Sequence, residues 1–162
     1  MTIRVGLGYD VHPFVAADDR SHRTLVLAGV SLEGRALAGH SDADAVAHAV
    51  ADALLGPAGL PDLGTLFPAS DEQYRDASSL ELLRQVCSRV SEAGWQVVNV
   101  DIVIAAEEPR LAPHLDAMAR NLVSILGPEA FVSIKPKRGE GIGAVGRSEG
   151  IAVWAVALLE RP

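Results

Sequence analysis

Three groups of residues in this 162-residue chain have the types and spacing that chemistry requires. The first is Gly8-Tyr9-Asp10-Val11-His12-Pro13-Phe14. On an extended strand residues i and i+2 project to the same side, so Asp10 and His12 converge. A carboxylate beside an imidazole suits a divalent transition metal, zinc especially. The same pair also reads as a strand-end aspartate next to an exposed histidine. The second group is His40-Ser41-Asp42-Ala43-Asp44 and the helical run that follows it. From Ala43 to Leu60 the only ionisable residues are Asp44, His48 and Asp52, spaced i, i+4 and i+8. They form one polar stripe on an otherwise apolar helix. Buried there, each costs on the order of a few kcal/mol unless something satisfies it, and a metal or a substrate does so. Ser41-x-x-Asp44 also has the form of a capping box, in which case those two residues only start the helix. The third group is Lys135-Pro136-Lys137-Arg138-Gly139-Glu140-Gly141-Ile142-Gly143, which holds both lysines of the chain. Clustered cations among glycines that expose backbone N–H groups suit phosphate oxygens. No Gly-Lys-Ser/Thr follows, so this is not a P-loop; the alternative is a solvated cationic hairpin.

The elements that must position these groups follow from periodicity and punctuation. Residues 3–12 and Thr24–Val30 read as strands, and a helix begins near Ser41 or Asp42 and stops near Leu55 at Gly56-Pro57. Residues 59–71 read as an ordered loop with at most one helical turn. Ser79–Ala93 and Pro113–Leu126 read as helices, and Trp95–Ala106, Phe131–Ile134 and Ile151–Leu159 as strands, with a glycine-rich loop over 135–150. This mixed order favours an α+β two-layer sandwich, a mixed β-sheet with helices on one face, in a single domain over 1–162. The near-continuous apolar last strand implies burial on both faces, which in so small a domain points to association between subunits. His22 and His114 sit among polar residues and read as surface histidines.

Composition narrows the function classes. A net charge of −7 with 4% aromatics argues against a nucleic-acid partner. No stretch reaches the roughly 18–20 apolar residues that a membrane span needs. The N-terminus carries no signal-peptide pattern. A single cysteine, Cys87, excludes an internal disulfide and a thiolate cluster, and fits a reducing cytoplasm.

Taken together, GYDVHPF (8–14), HSDADAVAHAVADALLG (40–56), DLGTLFP (62–68), NVDIVIAAEEPRLAPH (99–114) and GRSEGIAVWAVALL (146–159) resemble the 2-C-methyl-D-erythritol 2,4-cyclodiphosphate synthase family, from Gly6 to Leu159. The resemblance implies a cytoplasmic homotrimer of the non-mevalonate isoprenoid pathway with active sites between subunits. It implies a reaction in which the 2-phosphate of 4-diphosphocytidyl-2-C-methyl-D-erythritol 2-phosphate attacks the β-phosphorus and expels CMP. It implies zinc, or a similar divalent ion, on Asp10, His12 and His48, and magnesium or manganese on Glu140 across the diphosphate. His40 and Ser41 would lie on a loop over the substrate, Asp52 would support the metal site, and Asp62 and Gly64 would meet the erythritol hydroxyls. Ala106, Pro109, Arg110, Leu111 and Ala112, with Pro136, would form the cytosine pocket. Arg147 and Glu149 would face a cavity on the trimer axis. Where the family commonly has Lys-Ala-Thr-Thr-Thr-Glu, this chain has Lys135-Pro136-Lys137-Arg138-Gly139-Glu140, so cations at Lys137 and Arg138 replace hydroxyls at the diphosphate. Position 144, often bulky and apolar in the family, is alanine here. Two rival functions share the same residues: a metal-dependent phosphohydrolase or nucleotidase, and a non-catalytic cytidine-nucleotide-binding trimer.

Overall fold

Strand β1 (Thr2–Pro13) turns Gly6 and Gly8 inward and Val5, Leu7, Tyr9 and Val11 outward. The computed structural model describes residues 1–16, 18 and 23–161, so His22 lies outside the described residues. A short hairpin, β2 (Leu25–Leu27) and β3 (Val30–Leu32), follows β1. Strands β4 (Gln96–Ala105), β5 (Phe131–Lys137) and β6 (Gly150–Arg161) complete a four-stranded sheet in the order β1-β6-β4-β5. Its β1–β6 and β6–β4 pairs are antiparallel and its β4–β5 pair is parallel, so the sheet is mixed.

The helices are α1 (Ala45–Ala58), α2 (Leu63–Leu66), α3 (Ser79–Glu92), α4 (Leu115–Leu126) and α5 (Gly143–Gly146). Helix α1 lies on β1 and β6, α4 lies on β5, and α3 packs against both helices. One core joins these layers, with Leu54, Leu83, Ile102, Met118, Leu122, Ile151 and Leu159 fully buried. This is the mixed α+β arrangement that the order of elements implies. Within one chain the other face of the sheet is bare: Val5 is 66% and Leu7 67% exposed, beside Tyr9, Trp154 and Val156.

Four expectations from the sequence change. Thr24–Val30 is not one strand, because Ala28 and Gly29 take φ of 47° and 71° and turn the chain back on itself. Two successive left-handed residues match the twist of a tight hairpin. The turn is held by the Asp44 carboxylate, which accepts the Ala28 N–H at 2.8 Å and the Gly29 N–H at 2.7 Å. Helix α1 starts at Ala45 rather than at Ser41 or Asp42, since the same carboxylate also caps Val46 and Ala47. Pro57 does not stop it. A proline in the last turn forfeits one intrahelical bond, and the helix runs on to Gly59, whose φ of 77° ends it. Finally, Lys135, Pro136 and Lys137 belong to β5 and not to a loop. That strand is at the sheet edge, where a residue without an N–H is tolerated.

Candidate functional site

Two glycines bring the first two groups of residues together. A Cβ on Gly6 would stand 2.1 Å from the Ala53 carbonyl oxygen, and one on Gly8 1.9 Å from that of Ala49. Bare backbone at both positions lets α1 lie directly on β1, with His48 facing Asp10 and His12. Asp10 Oδ2 is 2.9 Å from His12 Nε2 and 3.2 Å from His48 Nδ1, and the two ring nitrogens are 3.3 Å apart. Three donor atoms thus lie within 4.8 Å of one another. The ring of His12 is oriented by its Nδ1–H, which donates to the Ala38 carbonyl at 2.6 Å and leaves Nε2 facing the cluster. Burial pushes the Asp10 carboxyl up, but the His12 and His48 rings beside it outweigh that and hold Asp10 at about 2. Burial works against the charged form of His12, yet the bond to Asp10 and its negative charge raise that group. Two imidazoles and a carboxylate held on rigid elements beside a cavity form a donor set suited to a divalent metal.

A cavity of about 230 Å³ opens beside this cluster and is lined by His12, His40, Ser41, His48, Gly64 and Phe67 among others. Ser41 is buried, with its hydroxyl 3.2 Å from His48 Nε2. His40 Nε2 lies 3.3 Å from the Asp71 carbonyl. Asp62 caps α2, accepting the Thr65 N–H at 2.9 Å, and that bond lowers its carboxyl. Asp52, on the same helix as His48, accepts the Leu63 N–H at 2.8 Å and so ties α1 to the α2 segment. Its carboxyl is raised by burial. Asp44 is fully buried among four backbone N–H groups, with burial pushing it up to about 6. It serves the fold, while His48, four residues on, serves the cluster.

A second cavity, of about 370 Å³, is lined by Ala106, Glu107, Pro109, Arg110, Leu111, Ala112, Pro136, Lys137 and Arg138. It shares no residue with the first. Arg138 grips Glu107 through Nε at 2.9 Å and Nη2 at 2.7 Å, and this contact lowers the Glu107 carboxyl. Lys137 makes no ion pair among the described residues, whereas Lys135 pairs with Asp101 at 2.5 Å. Glu140 is exposed, and Arg147 donates to Glu149 at 2.7 Å just before β6; none of the three lines either cavity. Sequence reasoning gave no role to Ser79, which lies against His48, to Asp42, which holds Ser79, or to Glu107, which holds the cationic segment. Ser78-Ser79 signals a helix start, but nothing local in sequence places that start on a histidine 31 positions away.

Fold and centre together define a small α+β enzyme with a triad suited to a divalent metal. The chain belongs to the YgbB family, whose model matches residues 3–160. It is 54% identical over 160 residues to the 2-C-methyl-D-erythritol 2,4-cyclodiphosphate synthase of Rubrobacter xylanophilus, covering 98% of this chain and 95% of that one. Among solved structures it resembles the bifunctional IspDF of Campylobacter jejuni, with a TM-score of 0.90 and 37% identity. That match covers 99% of this chain but 43% of the larger protein. It also resembles the Plasmodium falciparum IspF CDP complex, with a TM-score of 0.82, 30% identity and coverage of 98% and 96%. No helix among the described residues is long and apolar enough to cross a membrane.

Proposed function

We propose that this chain, acting as one catalytic domain over 1–162, converts 4-diphosphocytidyl-2-C-methyl-D-erythritol 2-phosphate to 2-C-methyl-D-erythritol 2,4-cyclodiphosphate and CMP. The observation that carries the proposal is the Asp10–His12–His48 cluster opening onto a cavity, in a chain 54% identical to a synthase of that name. An oxygen of the substrate's 2-phosphate forms a bond to the β-phosphorus as the bond from that phosphorus to the CMP oxygen breaks, so no water is consumed. A divalent ion on Asp10, His12 and His48, zinc in this reading, supplies Lewis acidity and a template for phosphate oxygens. The residues of the chain do the positioning: His40 and Ser41 border the cavity, and Asp62 and Gly64 meet the erythritol hydroxyls. Ala106, Pro109, Arg110, Leu111, Ala112 and Pro136 enclose the cytosine. The Plasmodium falciparum relative forms a complex with CDP, which supports a cytidine nucleotide as the ligand. Glu140 holds a second ion, magnesium or manganese, against the diphosphate. Lys137 neutralises diphosphate oxygens in place of a hydroxyl.

The two cavities are separate within one chain, so this function needs them to meet across subunits. A homotrimer accomplishes that, with the exposed apolar face of Val5, Leu7, Tyr9, Val11, Trp154 and Val156 turned inward. Arg147 and Glu149 then approach the axis. The setting is the cytoplasm, where Cys87 stays a thiol. Incubating the protein with the cytidyl substrate and magnesium should give CMP and the cyclic diphosphate by phosphorus NMR. Release of orthophosphate in their place would point to the phosphohydrolase, and cytidine-nucleotide binding without any product to a silent binding protein.

A further inference from the structure

We infer that Ser79, oriented by Asp42, is a positioning residue that fixes the proton on His48 and thereby makes its Nδ1 a metal ligand. This rests on the reading of Asp10, His12 and His48 as a metal site. His48 Nδ1 faces Asp10 Oδ2 at 3.2 Å and His12 Nε2 at 3.3 Å. Its other nitrogen, Nε2, points away from the cluster to Ser79 Oγ at 2.8 Å. Ser79 opens α3 and is 1% exposed, so its hydroxyl has no water to satisfy it. That hydroxyl makes a short contact with Asp42 Oδ1, and Asp42 Oδ2 accepts the Ser79 N–H at 3.0 Å.

Proton accounting gives these contacts a direction. A carboxylate only accepts, so the Ser79 O–H donates to Asp42. The Ser79 oxygen then offers lone pairs, and the nitrogen that meets them must be a donor, so His48 carries its proton on Nε2. Nδ1 is left with a lone pair aimed into the cluster. Without this relay the opposite tautomer has an attractive alternative, because Nδ1–H could donate to Asp10 and would then bind no metal. Ser41 is the weaker partner: its Oγ is 3.2 Å from His48 Nε2, has no carboxylate behind it, and also lies 3.3 Å from the Ser79 oxygen and accepts the Ala43 N–H at 3.3 Å. The shorter bond belongs to the hydroxyl with the carboxylate behind it. A ligating histidine whose second nitrogen is held by a carboxylate is a recurring support for metal sites. Here a serine is interposed, which lets a residue of α3 reach a histidine on α1.

The test measures zinc affinity by competition with a chromophoric chelator for wild type, Ser79→Ala, Asp42→Asn and Leu83→Ala. Ser79→Ala should bind zinc about 10- to 100-fold more weakly. Asp42→Asn should lie between it and wild type, since the amide still accepts the hydroxyl proton but less strongly. Leu83→Ala, a core truncation in the same helix, should lower thermal stability and leave zinc affinity alone, separating positioning from mere loosening of α3. Long-range proton–nitrogen NMR of the metal-free protein at pH 8 should show His48 protonated on Nε2 in wild type and shifted towards Nδ1 in Ser79→Ala. Zinc affinity within twofold of wild type in Ser79→Ala would overturn the inference. Failure of wild type itself to bind one zinc per chain would instead remove the metal reading on which it stands.

Discussion

Gly8 and Ala49 are in backbone contact: a Cβ on Gly8 would stand 1.9 Å from the Ala49 carbonyl oxygen and 2.7 Å from the Ala53 nitrogen. Neither of those atoms can yield, because both belong to α1. Gly8→Ala must therefore lift the helix from the strand, and His48 moves with it. Overpacking of this kind costs typically about 1–3 kcal/mol. The expected result is a lower urea midpoint together with a fall in zinc affinity. Stability lost with zinc affinity kept would show that the triad does not depend on this contact.

Asp44 links the β2–β3 hairpin to the start of α1 with one side chain. Asp44→Ala removes a helix cap, worth about 1 kcal/mol. The N–H groups of Ala28 and Gly29 lose their partner as well, and a buried orphan such as that of Ala28 costs about 1–3 kcal/mol. A loss of at least about 3 kcal/mol in chemical denaturation is expected. Asp44→Asn should lose less, because one oxygen still serves Ala28, Val46 and Ala47 while its amide group meets the Gly29 N–H unfavourably. Equal losses for the two variants would mean that the Gly29 contact in the hairpin turn, and not the helix cap, carries the effect.

The helices, the strand that carries Asp10 and His12, and the final strand were legible because their information is periodic and local. The i, i+2 spacing on β1 and the lone histidine in an apolar helix are visible without tertiary structure. What stayed hidden was decided by contacts at long range. Ala28 takes a left-handed turn that an alanine does not advertise, and it does so because Asp44 sits 16 positions away in sequence. Asp44 itself looked like part of a functional stripe, since spacing cannot distinguish a carboxylate that meets a ligand from one that meets backbone N–H groups. Pro136 looked like a loop residue until the edge position of β5 made room for it.

The bare face of the sheet makes its own prediction. Leu7 is 67% exposed in a single chain, so an aspartate there costs that chain little. In a trimer the same charge would be buried without a partner. Leu7→Asp should therefore sediment as a folded single-chain species and lose activity on the order of 100-fold, the scale of displacing one half of an active site. A Leu7→Asp protein that remained a trimer would put the subunit contact on another face.

Cys87 gives a pH prediction apart from the active site. Burial pushes its thiol from 9.0 up to about 11. At pH 8.5 the folded protein then holds roughly 100-fold less thiolate than the unfolded chain, and iodoacetamide should react more slowly by about that factor. The sign for stability follows from linkage. The folded state keeps a proton that the unfolded state releases, so this contribution is complete below pH 9 and is lost as pH rises towards 11. Cys87→Ala should flatten that part of the stability profile. A native alkylation rate matching that of the unfolded chain would mean that the thiol is not sequestered.

Lys137 and Arg138 have opposite commitments, and kinetics can separate them. Arg138 is 68% exposed and tied to Glu107, so the pair adds little to stability. Its effect is to cover a carboxylate beside the proposed diphosphate position. Arg138→Ala uncovers that charge against an anionic substrate, and kcat/KM should fall by roughly 10-fold or more, with each tenfold equal to about 1.4 kcal/mol. Arg138→Ala combined with Glu107→Gln should recover most of the loss, because the repulsion leaves with the charge. Lys137→Ala removes the proposed charge-assisted bond to the substrate itself, worth about 1.5–3 kcal/mol, and should raise KM. Glu107→Gln should not restore it, since no buried or opposing charge was left behind. If Glu107→Gln rescued both variants equally, Lys137 would have to act on Glu107 as well, and the diphosphate would have lost its proposed cation.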